Sequence, residues 1–142
     1  MKQYADFVKE YNGFDGLYVG IDFLNLKPGE LCIRTENYEP VVKNYADGGK
    51  LKQCVFSVCL KEARVPLTKE SISNIGILEG FLSWLEIRNG EGEYPLPGNG
   101  VSITALSDVN VEKSDIGSNV YSVKVKYLYY TEGKLPLVKR FY

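Results

Sequence analysis

The stretch NYADGGKLKQCVFSVCL, residues 44–60, joins a glycine-containing turn to the longest strand candidate in the first half of the chain. Successive side chains of a strand point to opposite faces, which places Cys54, Phe56, Val58 and Leu60 together on one face. The residues between them are also mainly apolar or small. The sequence therefore predicts a strand whose two faces are both largely covered, as in the interior of a sheet.

The glycines that precede this strand raise three possibilities: a phosphate-binding loop, a tight hairpin, or an arm that reaches a neighbouring subunit. A phosphate loop requires GxxxxGK[ST] between a strand and a helix, whereas here a strand follows the glycines. The same context excludes a dinucleotide-binding fingerprint. The hairpin and the arm remain, and the candidate arm residues are Tyr45, Asp47, Gly48, Gly49 and Lys50.

Two segments have the spacing of amphipathic helices. Residues 2–11 place aromatic and apolar side chains at intervals of three and four, and Asn12-Gly13 ends the pattern. A longer helix, about residues 68–89, has the same spacing and would be roughly 30 Å long, enough to lie across a sheet. Its apolar stripe comprises Ile75, Leu78, Phe81, Leu82, Trp84 and Leu85.

The remaining strands follow from β-branched and aromatic runs. The segments LYVGIDFL and LCIRTE predict two strands joined by a turn near Lys27–Glu30, and VSITALSDVNV predicts a strand bent near Ser107-Asp108. VYSVKVKYLYY, residues 120–130, alternates as a half-exposed strand does. The order of elements predicts one α+β domain over residues 1–142, with a largely antiparallel or mixed sheet packed by the long helix and the short N-terminal helix.

Composition excludes several classes of protein. The 142 residues carry a net charge of −1, which argues against a protein whose main role is to bind nucleic acid through its phosphates. No apolar run is long enough to span a membrane, and the start of the chain does not resemble a signal peptide, so we expect a protein of a cytoplasm-like compartment. The three cysteines lack metal-ligand spacing and are expected to be buried, inert thiols, with Cys54 and Cys59 on opposite strand faces.

The chain contains no histidine, which excludes Ser-His-Asp and Cys-His catalysis. Its acids are scattered, and Asp15, Asp22, Glu91 and Glu93 are best interpreted as solvated surface groups. We therefore expect no catalytic residue, no metal site, no cofactor and no enzymatic activity.

The eleven tyrosines allow two interpretations. Aromatic side chains on a sheet face stack nucleic-acid bases in single-strand-binding modules, so Tyr121, Tyr127 and Tyr129 are candidates for a surface that binds single-stranded nucleic acid or a peptide. The same face carries Val123 and Val125, however, which favours a core or a subunit interface.

Five segments in this order resemble the tail terminator, or minor capsid, proteins of phages and prophages of Gram-positive bacteria, including clostridial ones. The segments are the strand around residues 18–22, VVKNYADGGKLKQCVFSVCLKEAR (41–64), GFLSWLE (80–86), YPLPGNGVSITALS (94–107) and VYSVKVKYLYY (120–130). Together they cover most of the chain, and their order and spacing carry the resemblance.

The resemblance implies an α+β protomer that forms a ring, usually a hexamer, on the head-proximal end of a contractile or non-contractile tail tube and stops its polymerisation. The implied partners are further copies of the chain, the tail tube protein, and a sheath or neck/head-completion protein. DNA would be met only in the lumen, where a head is present. The implied location is a virion or phage-tail-like particle assembled in the host cytoplasm. A neck or head-completion connector of the same assembly is the close alternative.

Overall fold

The computed structural model describes residues 2–15, 17–21, 30–61, 69–95, 99–113 and 119–132. The helices are α1 (Lys2–Val8) and α2 (Lys69–Glu91), with a 3₁₀ turn at Asn12–Phe14. The strands are β1 (Val19–Ile21), β2 (Leu31–Thr35), β3 (Val41–Asn44), β4 (Lys50–Lys61), β5 (Gly100–Ala105), β6 (Asn110–Lys113) and β7 (Asn119–Thr131). The predicted α+β class and the two predicted helices are confirmed.

Two long antiparallel strands form the centre of a seven-stranded sheet. β4 and β7 pair along their length, from Lys50 opposite Thr131 to Lys61 opposite Val120. The outer edge of β4 pairs with β2 and β3, and the outer edge of β7 pairs with β5 and β6. β1 extends the sheet beyond β2. Each long strand therefore supports two shorter ones placed end to end.

Both helices contribute to the core on one face of this sheet. Cys54, Phe56, Val58 and Leu60 of β4 belong to that core, as the strand pattern predicted. The helical side chains of the core are Tyr4, Ala5, Phe7 and Val8 from α1 and Leu78, Phe81 and Leu85 from α2. Burial of this apolar surface, worth about 1.5–3 kcal/mol for each large side chain, holds the helices on the sheet.

The other face of β4 is also buried, so the prediction of a strand covered on both sides is confirmed. Val55, Ser57 and Cys59 are buried there although they lie outside the helix-covered core. Glu36 forms ion pairs with Arg34 (3.1 Å) and Lys124 (3.5 Å), the two residues that flank Ser57 on the neighbouring strands. Long charged side chains cover small ones on this face.

The three cysteines are buried, as expected, and none of them forms a disulfide. Cys54 faces the helices and Cys59 faces away from them, which confirms their opposite orientation. The sheet also places Cys32 of β2 directly opposite Cys59 of β4, a pairing that depends on strand register and that the cysteine spacing did not predict.

The two strands predicted from LYVGIDFL and LCIRTE are present as β1 and β2, and they pair in parallel, with Val19 opposite Leu31. They do not form a hairpin, because a tight reversal joins only antiparallel neighbours. Most of the predicted turn, within residues 22–29, lies outside the described residues. The predicted strand over 101–111 is two strands, β5 and β6, separated at the expected bend.

Candidate interaction surfaces

The candidate arm is a hairpin that connects β3 to β4. The Tyr45 amide donates to the Gly49 carbonyl (2.9 Å), and the Gly48 amide donates to the Tyr45 carbonyl (3.0 Å). The Asp47 carboxylate accepts from the Gly49 amide at 2.8 Å. Gly48 has a φ of 85°, in the left-handed region that a glycine adopts at little cost. The turn is closed by its own hydrogen bonds, and Lys50 begins a strand, not a helix.

The tip of this hairpin exposes both apolar and basic side chains. Val42, the extra residue of a bulge in β3, is 49% exposed, and Tyr45 is 38% exposed. The centroid of the Tyr45 ring lies 5.8 Å from the centroid of the Tyr130 ring. The Lys43 ammonium nitrogen lies 5.4 Å from the same Tyr45 centroid. Lys43 and Lys50 are themselves exposed. We call residues 42–50 the hairpin tip.

The predicted tyrosine interface lies inside the protein. Tyr121 and Tyr127 are each only 3% exposed and belong to the helix-covered core. Tyr129 packs against the same core and stacks on Tyr127 at 5.3 Å, and the Tyr127 hydroxyl donates to the Pro95 carbonyl at 3.3 Å. Of the two options left by the sequence, core or interface, the structure places Tyr121 and Tyr127 in the core, with the partly buried Tyr129 packed against it.

Two further tyrosines converge on Cys54 beneath the sheet. The Tyr4 and Tyr38 side chains both hydrogen bond with the Cys54 thiol. Burial raises the pKa of Tyr4 strongly, and the hydrogen bond with Cys54 followed by burial raises the pKa of Tyr38 to about 12. Both phenols are therefore neutral at physiological pH, and they link α1 and the segment after β2 to the central strand.

A groove runs along α2 on the β5 side of the molecule. It consists of two adjoining cavities of about 510 and 520 Å³, which share Leu82 and Asp108 in their walls. The described lining includes three carboxylates, Glu79, Glu86 and Asp108, and no basic side chain. Its apolar lining residues are Ile75, Leu82, Leu85, Ile103, Leu106 and Val109. We call this the acidic groove.

The walls of the acidic groove come from two parts of the chain that are distant in sequence. Glu79, Leu82 and Glu86 recur at intervals of three and four, so they lie along one side of α2. The Asn89 side-chain oxygen accepts a hydrogen bond from the Ile103 amide at 2.9 Å, which fixes the end of α2 against β5. Sequence reasoning missed this groove, although the spacing of the two glutamates was a signal for it.

Exposed apolar side chains occur at two opposite sides of the sheet. Among the described residues, Tyr18, Ile21, Val42 and Tyr45 lie on the side of β1 and β3. The other exposed large apolar residues, on the side of α2, β5 and β6, are Ile87, Val101, Leu106 and Val111. The exposed large apolar residues of the described chain thus divide into two sets, one that includes the hairpin tip and one that includes residues beside the acidic groove.

The acids considered in the sequence do not assemble into a site. Glu93 pairs with Arg88, which also lies 3.5 Å from Glu10. Asp15 and Glu91 are exposed, and Asp22 lies outside the described residues. In the part of the chain that the structure describes, no group of three or more His, Cys, Asp or Glu residues is arranged to hold a metal ion. None of the described helices is long and apolar enough to cross a membrane.

Comparison with known proteins finds no matching family model and no curated relative.

Proposed function

We propose that this protein is a structural ring component that caps the head-proximal end of a phage tail or phage-tail-like tube and stops its polymerisation. The observation that carries the proposal is the pair of unlike sets of exposed apolar residues on opposite sides of one sheet. Identical subunits form a closed ring when one surface of each fits a different surface of the next. The proposal takes these residues as parts of two contact surfaces, since contiguous exposed apolar patches mark interaction sites.

The difference between the two sets of exposed residues supports a ring over a single two-fold dimer. A two-fold contact uses the same patch on both subunits, which would leave the other patch uncovered. A head-to-tail contact covers both patches in every copy. The resemblance of the chain to tail terminators supplies the expected number of copies, usually six, and the expected partners, which are the tube protein and a sheath or neck protein.

The burial of Tyr121 and Tyr127 disfavours the main alternative from another class, a module that binds single-stranded nucleic acid or peptide through its tyrosines. Base stacking requires an accessible ring face, whereas both rings are buried and the Tyr127 ring packs against Tyr4 of α1 and Tyr94. A structural role also requires no catalytic group, which agrees with the scattered acids.

The test is electron microscopy of the purified protein in negative stain, alone and mixed with its tube protein, together with its native mass. Sixfold rings, or caps at tube ends only, are the expected result. A protein that stays monomeric and never associates with tubes would overturn the proposal. Rings that ignore tube ends but bind a neck protein would identify a connector of the same assembly instead.

A further inference from the structure

We propose that the hairpin tip of one copy docks into the acidic groove of the next copy. This inference rests on the proposed ring and names the two surfaces that meet in it. The occupant of the groove is a second copy of this chain, because the two surfaces match in charge, in apolar side chains and in their positions in the sheet.

The charges of the two surfaces are complementary. The groove presents the carboxylates of Glu79, Glu86 and Asp108 without a basic side chain among its described lining residues. The hairpin tip presents the exposed ammonium groups of Lys43 and Lys50. Its own acid, Asp47, is already held by the Gly49 amide within the turn. Opposite charges across an interface guide the approach of the partners and set their register.

The apolar surfaces also match. The hairpin tip carries Val42 and Tyr45, which lose contact with solvent only if another surface covers them. The groove has apolar walls, with Leu106 exposed at its edge, and each of its cavities falls within the roughly 300–1,000 Å³ range of binding pockets. Tyrosine is enriched at the centre of protein interfaces, where its ring packs and its hydroxyl stays near polar groups.

The position of the two surfaces in the sheet makes the contact intermolecular. The hairpin tip lies at the outer edge of β4, and the groove lies beyond the outer edge of β7. With strands about 4.8 Å apart, β3 and β5 are separated by roughly 14 Å across the two central strands. The hydrogen bonds within its turn also keep the hairpin from extending toward the groove of the same chain. A chain therefore cannot fill its own groove, and each copy offers one hairpin and one groove, as a head-to-tail ring requires.

The decisive experiment exchanges the charges of the two surfaces. Lys43→Glu and Glu86→Lys are made singly and together, and Lys9→Glu, at an exposed position just after α1 and outside both surfaces, is the matched control. The protein concentration at which half of the chains assemble is measured by sedimentation, with thermal unfolding as a check of the fold. We expect each single reversal to raise that concentration about tenfold or more, since it places like charges together.

The double variant is expected to recover assembly to within about threefold of the unaltered protein, and the control to assemble normally. Single reversals that assemble normally, or a double variant no better than the singles, would overturn the docking while leaving the ring intact. An unaltered protein that never assembles, alone or on tubes, would instead remove the proposed function itself.

Zero-length cross-linking of the unaltered protein gives a second readout. Amide bonds between Lys43 or Lys50 and Glu79, Glu86 or Asp108 are expected in the assembled fraction and not in the monomer. Assembled protein without any such bond, but with hairpin lysines joined to acids elsewhere, would place the hairpin on a different surface. Cross-links from the groove to the tube protein alone would identify that protein as the occupant and overturn the inference.

Discussion

Two glycines of α2 provide a test of how α1 and the turn after it pack on this helix. A Cβ added at Gly76 meets nothing within 4 Å. A Cβ added at Gly80 would fall well inside the contact distance of the Tyr11 hydroxyl oxygen. That hydroxyl donates to the Ile77 carbonyl at 3.1 Å, and the ring packs against the aromatic side chains Phe14, Phe81 and Trp84. The same Gly→Ala change should therefore have opposite effects four residues apart.

The expected changes in the free energy of unfolding combine helix propensity, the loss of a hydrogen bond and the displacement of the Tyr11 ring. Alanine is about 0.8–1.0 kcal/mol more favourable than glycine within a helix, so Gly76→Ala should raise the free energy of unfolding by about that amount. Gly80→Ala has the same gain but displaces the Tyr11 hydroxyl, which costs about 1 kcal/mol for the hydrogen bond. Forcing the packed ring aside costs a further 1–3 kcal/mol or so. The net result at Gly80 is a loss of about 1–3 kcal/mol.

Thermal and urea unfolding measure both effects. For a chain of this length, 1 kcal/mol corresponds to a change in Tm of about 3–4 °C. Gly76→Ala should raise the Tm by about 3 °C, and Gly80→Ala should lower it by about 3–12 °C. Tyr11→Phe provides the control, because it removes the obstructing oxygen and leaves the ring carbon Cζ at 3.4 Å, an ordinary contact distance.

In the Tyr11→Phe protein, Gly80→Ala should become neutral or stabilising. The coupling between the two changes should therefore be about 1–4 kcal/mol, beyond the roughly 0.3–0.5 kcal/mol by which independent changes deviate from additivity. Equal stabilisation by Gly76→Ala and Gly80→Ala, or a cost at Gly80 that persists in the Tyr11→Phe protein, would refute the described packing of Tyr11 on α2.

Three further predictions concern the hairpin, the groove and alkaline pH. In urea unfolding, Gly48→Ala should lower the free energy of unfolding by about 1 kcal/mol or more, because φ at Gly48 is 85°. Gly90→Ala is the control and should not lower it, because a Cβ added at Gly90 meets no atom within 4 Å. Asn89→Ala should cost about 1–3 kcal/mol in the same assay, because the Ile103 amide loses its acceptor, and Asn110→Ala at an exposed site is the control. The pKa of Tyr38 is raised to about 12 from the ordinary 10, so the contribution of its neutral phenol to the free energy of unfolding is fully present below pH 10 and is lost as the pH rises toward 12. The urea concentration at the unfolding midpoint should drop over that pH range, and it should drop less in the Tyr38→Phe protein.

The sequence predicted the helices and strands of this fold well because the spacing of apolar residues along each element is a local property. Alternation in 50–60 and 120–130 assigned the side chains of β4 and β7 to their correct faces, and spacing by three and four located α2 within two residues of its ends. Glycines placed the hairpin turn, and the absence of a helix after Lys50 correctly excluded a phosphate loop. Each of these features depends on neighbours within a few positions.

The parallel pairing of β1 with β2 and the acidic groove could not be predicted in this way. The face of β7 that carries Tyr121 and Tyr127 is set by its alternating pattern, but whether that face meets helices or solvent depends on where α1 and α2 pack. The groove joins residues near 79–89 to residues near 103–109, and the packing of α2 on the sheet, including the hydrogen bond from Ile103 to Asn89, brings these distant segments together.

The sequence by itself therefore determined the helices, the strand faces, the hairpin turn and the lack of histidine chemistry, since period and composition act within each segment. Only the tertiary structure decided which tyrosines became core, that Cys32 faces Cys59, and that exposed apolar residues divide between two sides of the sheet. These outcomes depend on strand order and register, which arise when distant segments compete to bury the same apolar surface.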